Sequence, residues 1–171
     1  MSTVLFITNQ DLKRNTVVNG NVDVDKFIQY IKISQDIHIE NYLGTKLFTK
    51  MQELIENGEI LTTDYINYLY LLNTYVKPMT IHWAMVEYLP FAAYQVYNNG
   101  IYKKLPEASE SVDKNEVDFL IEKERTIAQH YTRRMVDYLC YNSTLFPEYY
   151  QNNGNDVYPD KESDFGGWNL D

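Results

Sequence analysis

The stretch PMTIHWAMVEYLPFAAYQVY, residues 78–97, is the most apolar in the chain and about long enough to cross a bilayer. His82, Glu87, Pro90 and Gln95 interrupt it, so it reads as a central buried helix, not a membrane span. Pro78 suits the first turn of a helix, where its missing N–H costs nothing. The spacing therefore predicts one helix stopping near Val76 and another starting at Pro78. Pro90 falls inside that second helix, where it removes an internal hydrogen bond and predicts a kink near Glu87. Gly100 ends it.

Upstream, Val4 to Ile7 reads as a short extended piece, and Thr8 or Asn9 can cap a brief helical turn in TNQDLK. NGNVD at 19–23 is a turn, and a helix begins at Asp23. Its polar residues Asp25, Gln29, Lys32, Asp36 and Glu40 form one narrow wet stripe, with nearly everything else apolar. A short amphipathic helix follows, with Leu47, Phe48, Met51, Leu54 and Ile55 on one face and Gly44 and Gly58 as its breaks. Thr62 or Thr63 caps the next segment, DYINYLYLLNTYV.

Downstream, residues 98–112 read as a loop with a short strand at Ile101 to Lys104, because Pro106 and the serine-rich run cannot continue a helix. Asp113 and Glu116 make a capping-box pattern. From there Val117, Leu120, Ile121, Ile127, Ala128, Tyr131, Met135, Tyr138 and Leu139 mark an amphipathic helix of about eight turns. Past Asn142 the periodicity is lost. The expected fold is all-α: a compact helical bundle with a long C-terminal helix. Residues 1–145 would form the domain and residues 146–171 an extended C-terminal arm.

The chain has 171 residues, 44% of them hydrophobic, enough for one domain with a real core. Its 15 basic and 24 acidic residues give a net charge of −9, which argues against a protein that wraps phosphate backbones. One cysteine, Cys140, excludes an internal disulfide framework and fits a reducing compartment; a buried small thiol is its expected state. Sixteen tyrosines suit a core that continues into interfaces.

Catalytic patterns are sparse. His38, His82 and His130 fall on separate helices with no ligand spacing, and His82 reads as a packed histidine with one hydrogen-bond partner. His38 and Glu40 could share a surface. The seven glycines form no phosphate-cradling loop, and no nucleophile elbow is present. Glu53 with Glu56, and Asp118 with Glu122, have the spacing that magnesium-dependent helical nucleotide hydrolases use, but the first pair borders a turn and Asp118 lies in a first helical turn, where acids are expected anyway. Glu124 lies in the apolar stripe of the last helix, so it should sit at the edge or meet an arginine, with an intersubunit ion pair as the alternative. No catalytic, cofactor or metal site is expected.

Five stretches, in this order, carry a resemblance: LFITNQDLK, ENYLGTKLF, KPMTIHWAMVEYLPF, NNGI and DFGGWNL. Together they resemble the head-to-tail connector or adaptor proteins of tailed bacteriophages, closest to those of crAss-like phages and prophages of Bacteroides-type bacteria. The similarity spans nearly the whole chain, and the long tail departs from the shorter lambdoid connectors. The resemblance implies a helical, non-enzymatic virion subunit assembled in the host cytoplasm. It would form a ring with its own copies, commonly twelvefold, stacked between the portal protein and the next tail or neck ring. DNA would pass through the lumen as cargo, with no membrane involved. Phe165 and Trp168 would anchor in apolar pockets of a partner, with Gly166 and Gly167 bending the backbone between them; the alternative is that the tail folds back and its aromatics finish the core. Lys103 and Lys104 form a second candidate contact. Rival readings are a small acidic phage regulator that binds a host partner and a magnesium-dependent nucleotide hydrolase.

Overall fold

The central helix of the fold is apolar nearly all round. In the computed structural model, which describes residues 4–16, 24–92, 94–97, 100–103, 114–151 and 156–162, this is α5, Lys77–Tyr88. Met79, Trp83 and Val86 point into one apolar cluster, while Ile81, Ala84 and Met85 point into another. A helix buried on both sides needs no polar stripe, which explains its hydropathy without a bilayer. No helix among the described residues is long and apolar enough to cross a membrane.

The smaller cluster lies between α5 and the N-terminal elements, where Ile7, Leu12, Phe27 and Ile31 meet it. Helix α1 (Asn9–Asn15) starts in a reciprocal capping box between Thr8 and Asp11. The extended residues before it are held by Gln35, which is fully buried: its Oε1 accepts from the Phe6 N–H at 2.7 Å and its Nε2 donates to the Val4 carbonyl at 3.1 Å. Gln35 opens a π-helical turn, Gln35–Ile39, that joins α2 (Val24–Ser34) to α3 (Glu40–Glu56). The extra residue in that turn changes the helical phase. Gln35 is turned inward and Ile37 outward; Ile28 and Ile33 of α2 are exposed as well, and the narrow wet stripe expected there is wider than its sequence suggests.

The larger cluster joins α3, the helix ending at Leu71, α5, α6 (Lys114–Tyr141) and α7 (Pro147–Tyr150) through Leu43, Leu47, Met51, Leu54, Leu71, Met79, Met135, Leu139, Phe146 and Tyr149. Helix α4 (Ile66–Leu71) runs through a second π turn, Leu72–Val76, straight into α5. The expected break at Lys77 and Pro78 is therefore absent. In the π turn Lys77 N–H donates five residues back to Leu72, and this shifted frame admits Pro78 in the first turn of α5 without a gap. Pro90 likewise does not kink a long helix: α5 ends at Tyr88, a 3-10 turn spans Leu89–Phe91, and an antiparallel hairpin of β1 (Tyr94–Tyr97) and β2 (Gly100–Lys103) follows. The excursion thus starts earlier than residue 98. Among the described residues the fold is all-α apart from this hairpin.

Candidate interaction surface

Gly44 interrupts α3 with φ 74° and ψ 151°, a conformation essentially restricted to glycine. Within an unbroken helix the Thr45 N–H would donate to the Asn41 carbonyl four residues back. Here both groups are released, and both are taken by the segment after α7. The Thr45 N–H donates to the Val157 carbonyl at 3.1 Å, and the Asp160 N–H donates to the Asn41 carbonyl at 2.9 Å. The Val157 N–H donates to Thr45 Oγ1 at 2.9 Å, and that hydroxyl donates to Glu40 Oε1 at 2.8 Å. Pro159 is buried against the break: a Cβ on Gly44 would fall 2.5 Å from its Cγ and 2.6 Å from its Cδ. The break is thus a notch shaped to the strap at 157–161.

A second set of contacts fastens the strap's far end. Lys161 Nζ lies 4.3, 5.1 and 5.3 Å from the ring centroids of Tyr150, Tyr149 and Tyr158, within cation–π range of all three. Tyr149 is fully buried, and its hydroxyl has no hydrogen-bond partner among the described residues. The Cys140 thiol near it is only a weak acceptor, and burial drives the Tyr149 pKa upward. Cys140 itself is exposed, contrary to expectation, because it lies on the outer side of α6, where Leu139 takes the inward position. Phe146 packs edge-on to Tyr68 and Tyr138 with centroids 5.2 and 5.8 Å away, and Glu148 Oε2 accepts from the Tyr68 hydroxyl at 2.7 Å. The described part of the segment expected to form an arm therefore packs on its own domain. Phe146 is fully buried in the core with α7, so the packed unit runs past residue 145.

Two histidine–glutamate bridges brace the helices around α5. His38 Nε2 and Glu87 Oε1 are 2.8 Å apart, and the His38 ring stacks on Trp83 at 3.9 Å. Burial is the main influence on His38 and holds its pKa below the usual histidine value, against the opposing pull of Glu87. His82 Nδ1 and Glu124 Oε2 are 2.7 Å apart. Glu124 thus finds a histidine, where the sequence suggested an arginine or an edge position, because α5 crosses α6 at this level. His38 pairs across helices with Glu87 and not with nearby Glu40. Trp83 Nε1 donates to Thr132 Oγ1 at 3.1 Å and completes the tie to α6.

The carboxylates with metal-like spacing do not converge. Glu53, Glu56, Asp118 and Glu122 are exposed, and Glu122 meets Arg125 at 3.3 Å. Among the described residues no three His, Cys, Asp or Glu side chains form a metal-holding group.

The surface instead carries apolar groups. On the N-terminal half of α6, Phe119 and Leu120 are 61% and 47% exposed and line an open groove of about 480 Å³ with Asn115 and Glu116. Of the expected contact residues, Phe165, Gly166, Gly167, Trp168 and Lys104 lie outside the described residues. Lys103 closes β2, and its side chain is outside them too. Sequence reasoning found Gly44 as a break and missed its partner Pro159; the only signal was a proline followed two residues later by Lys161 in an otherwise aperiodic tail.

The fold and this surface define a class: an all-α domain clasped by its own segment at 157–161, with apolar side chains exposed on the N-terminal half of α6. Residues 39–159 match the family of unknown function DUF6712, and the chain belongs to that family. The matched region begins one residue before α3 and ends at Pro159, so it contains Gly44 and Pro159 but stops short of Asp160 and Lys161. No curated protein and no solved structure matches the chain.

Proposed function

We propose that this chain is a structural subunit of a tailed-phage neck, a head-to-tail connector that forms a ring with its own copies between the portal and the next tail component. The observation that carries the reading is the ordered resemblance of five motifs. Three of them correspond to scaffold devices in this fold: LFITNQDLK to the N-terminal hook on Gln35, ENYLGTKLF to the Gly44 notch, and KPMTIHWAMVEYLPF to the central helix. Apolar side chains left open on α6 suit a subunit that is completed by assembly. A net charge of −9 suits a channel wall from which a passing duplex is repelled. Phe165 and Trp168 serve in this reading as anchors in a neighbouring subunit or ring.

The test is density for this chain in the neck of the intact particle, together with co-sedimentation of purified chain with the portal. A ring of the chain seated on the portal is the expected result. Purified virions that lack the polypeptide would refute the reading.

A further inference from the structure

The first half of α6 has two faces of different character. Ile121 packs against the larger apolar cluster and Glu124 meets His82 of α5, so that side is committed to the fold. Glu116, Phe119, Leu120 and Lys123 recur at spacings of three and four residues and share another side, where Phe119 and Leu120 stay exposed beside the open groove. The order of charges there is specific: an acid stands one turn before the apolar pair and a base one turn after it. Glu116 and Lys123 are equally far in sequence from the midpoint between Phe119 and Leu120.

A face of this kind is its own complement. Turned about a two-fold axis through that midpoint, a second α6 lies antiparallel to the first, sets Phe119 against the partner's Leu120 and brings each Glu116 to the partner's Lys123. A parallel copy would set acid on acid and base on base. Lys123 suits the role, because its Nζ lies 5.8 Å from the Phe119 ring centroid and meets no carboxylate among the described residues, whereas nearby Arg125 is held by Glu122 at 3.3 Å. Any contact that Glu116 makes in its own chain leaves it further acceptor capacity, since a carboxylate offers about four lone-pair sites. The contact is small: residues 116–123 rise about 10 Å along the helix, so two such segments bury less than the roughly 1,200 Å² of a stable interface. A net charge of −9 on each copy also opposes approach. The pairing is therefore reversible and concentration-dependent.

We propose that the first half of α6 is a self-docking face, on which two copies of the chain pair antiparallel about a two-fold axis between Phe119 and Leu120, each Glu116 against the partner's Lys123. The pair covers these two apolar side chains when the free chain is concentrated. It does not rest on the ring reading, because a two-fold contact closes on itself and builds no ring.

The test is sedimentation of the purified full chain alone at physiological ionic strength, from the micromolar to the millimolar range, with reductant present because Cys140 is exposed. Wild type should pass from monomer to dimer. Glu116→Lys and Lys123→Glu each set like charges opposite one another at both ends of the contact, so each alone should weaken the dimer roughly tenfold or more. Mixed, the two variants should form a heterodimer of wild-type strength, because every acid again faces a base; damaged folding cannot imitate that rescue. A mixture no stronger than its components would overturn the two-fold pairing. So would a wild-type chain that is monomeric throughout, or a dimer indifferent to both reversals. Footprinting that finds Phe119 protected at every concentration would place the chain's own residues over this face and overturn the proposal as well. The ring reading is tested separately, in the particle and on the portal.

Discussion

At Gly44 one absent methyl group governs how the segment 157–161 meets α3. An alanine there would adopt a backbone conformation costing on the order of 1–3 kcal/mol and would also push its Cβ into Pro159. Pro159 is a ring held between the backbone-bonded residues Val157 and Asp160 and cannot swing away like the end of a long side chain. Gly44→Ala should therefore lower unfolding stability by about 2 kcal/mol or more, measured by denaturant titration, and speed amide exchange at Thr45 and Asp160 ahead of the rest of α3. Equal exchange rates in variant and wild type would show that the notch does not hold the strap. His38 offers a second test at this scale. Burial lowers its folded pKa below the unfolded value of about 6.5, so the unfolded chain binds more protons in the window beneath that value. The contribution is complete above pH 6.5 and is lost as pH falls through the folded pKa. His38→Gln should flatten the slope of stability against pH in the window directly below about 6.5, relative to wild type. A steeper slope in the variant would mean that Glu87 outweighs desolvation.

Helix α6 changes character along its length, and this sets expectations at the level of the element. From Ala128 onward Thr132, Met135, Val136 and Leu139 are buried, whereas Phe119, Leu120 and Ile127 are open to solvent. Leu139→Ala should cost about 2–5 kcal/mol, while Leu120→Ala should stay within about 0.5 kcal/mol in the isolated chain. If denaturation instead finds the two equal, the N-terminal half of α6 is covered within the monomer. The apolar periodicity of α6 was legible because Ala128, Met135 and Leu139 repeat at helical spacing, but that spacing cannot say whether a partner element lies opposite Leu120. A cap at Thr8 or Asn9, the breaks at Gly44 and Gly58 and the strand near Ile101 were legible for local reasons, whereas Asp113 of the expected capping box with Glu116 lies outside the described residues. The two π turns were not, since one extra residue in a turn leaves no compositional mark: hence the wrong break at Pro78 and the outward Ile37. Pro90 was over-read as a kink, because its effect depended on a hairpin after it that the apolar run concealed. Glu124 was recognised as needing a partner, but choosing His82 required the crossing of α5 and α6. The clasp was least legible, because Gly44 and Pro159 are far apart in sequence and each looks ordinary alone.

Across the whole molecule tyrosine joins the helices, and its hydroxyls give the assembled core a pH signature. Tyr42, Tyr68, Tyr75, Tyr88, Tyr138, Tyr149 and Tyr150 all have raised pKa values, with burial as the first cause. In Tyr68 the hydrogen bond to Glu148 adds to burial, since the phenol must keep its proton to donate it. These rings lie on α3, α4, α5, α6 and α7 and in the turns between them, so their protonation is coupled to packing of the whole domain. Each is an acid held neutral in the folded state and titrating at about pH 10 in the unfolded one. Its stabilising contribution is therefore complete below about pH 10 and is lost as pH rises through the folded value. Absorbance at the tyrosinate band should accordingly include a late component, above the ordinary tyrosine range, that coincides with loss of helical circular dichroism. In strong denaturant this component should move to the ordinary titration near about pH 10. Tyr68→Phe removes one late-titrating group together with its bond to Glu148, so it should shrink the late component. A single reversible titration in the native protein, with helicity unchanged throughout, would mean that the tyrosine-rich core admits hydroxide without opening, and the account of α7 and Tyr149 as sealed parts of that core would fail.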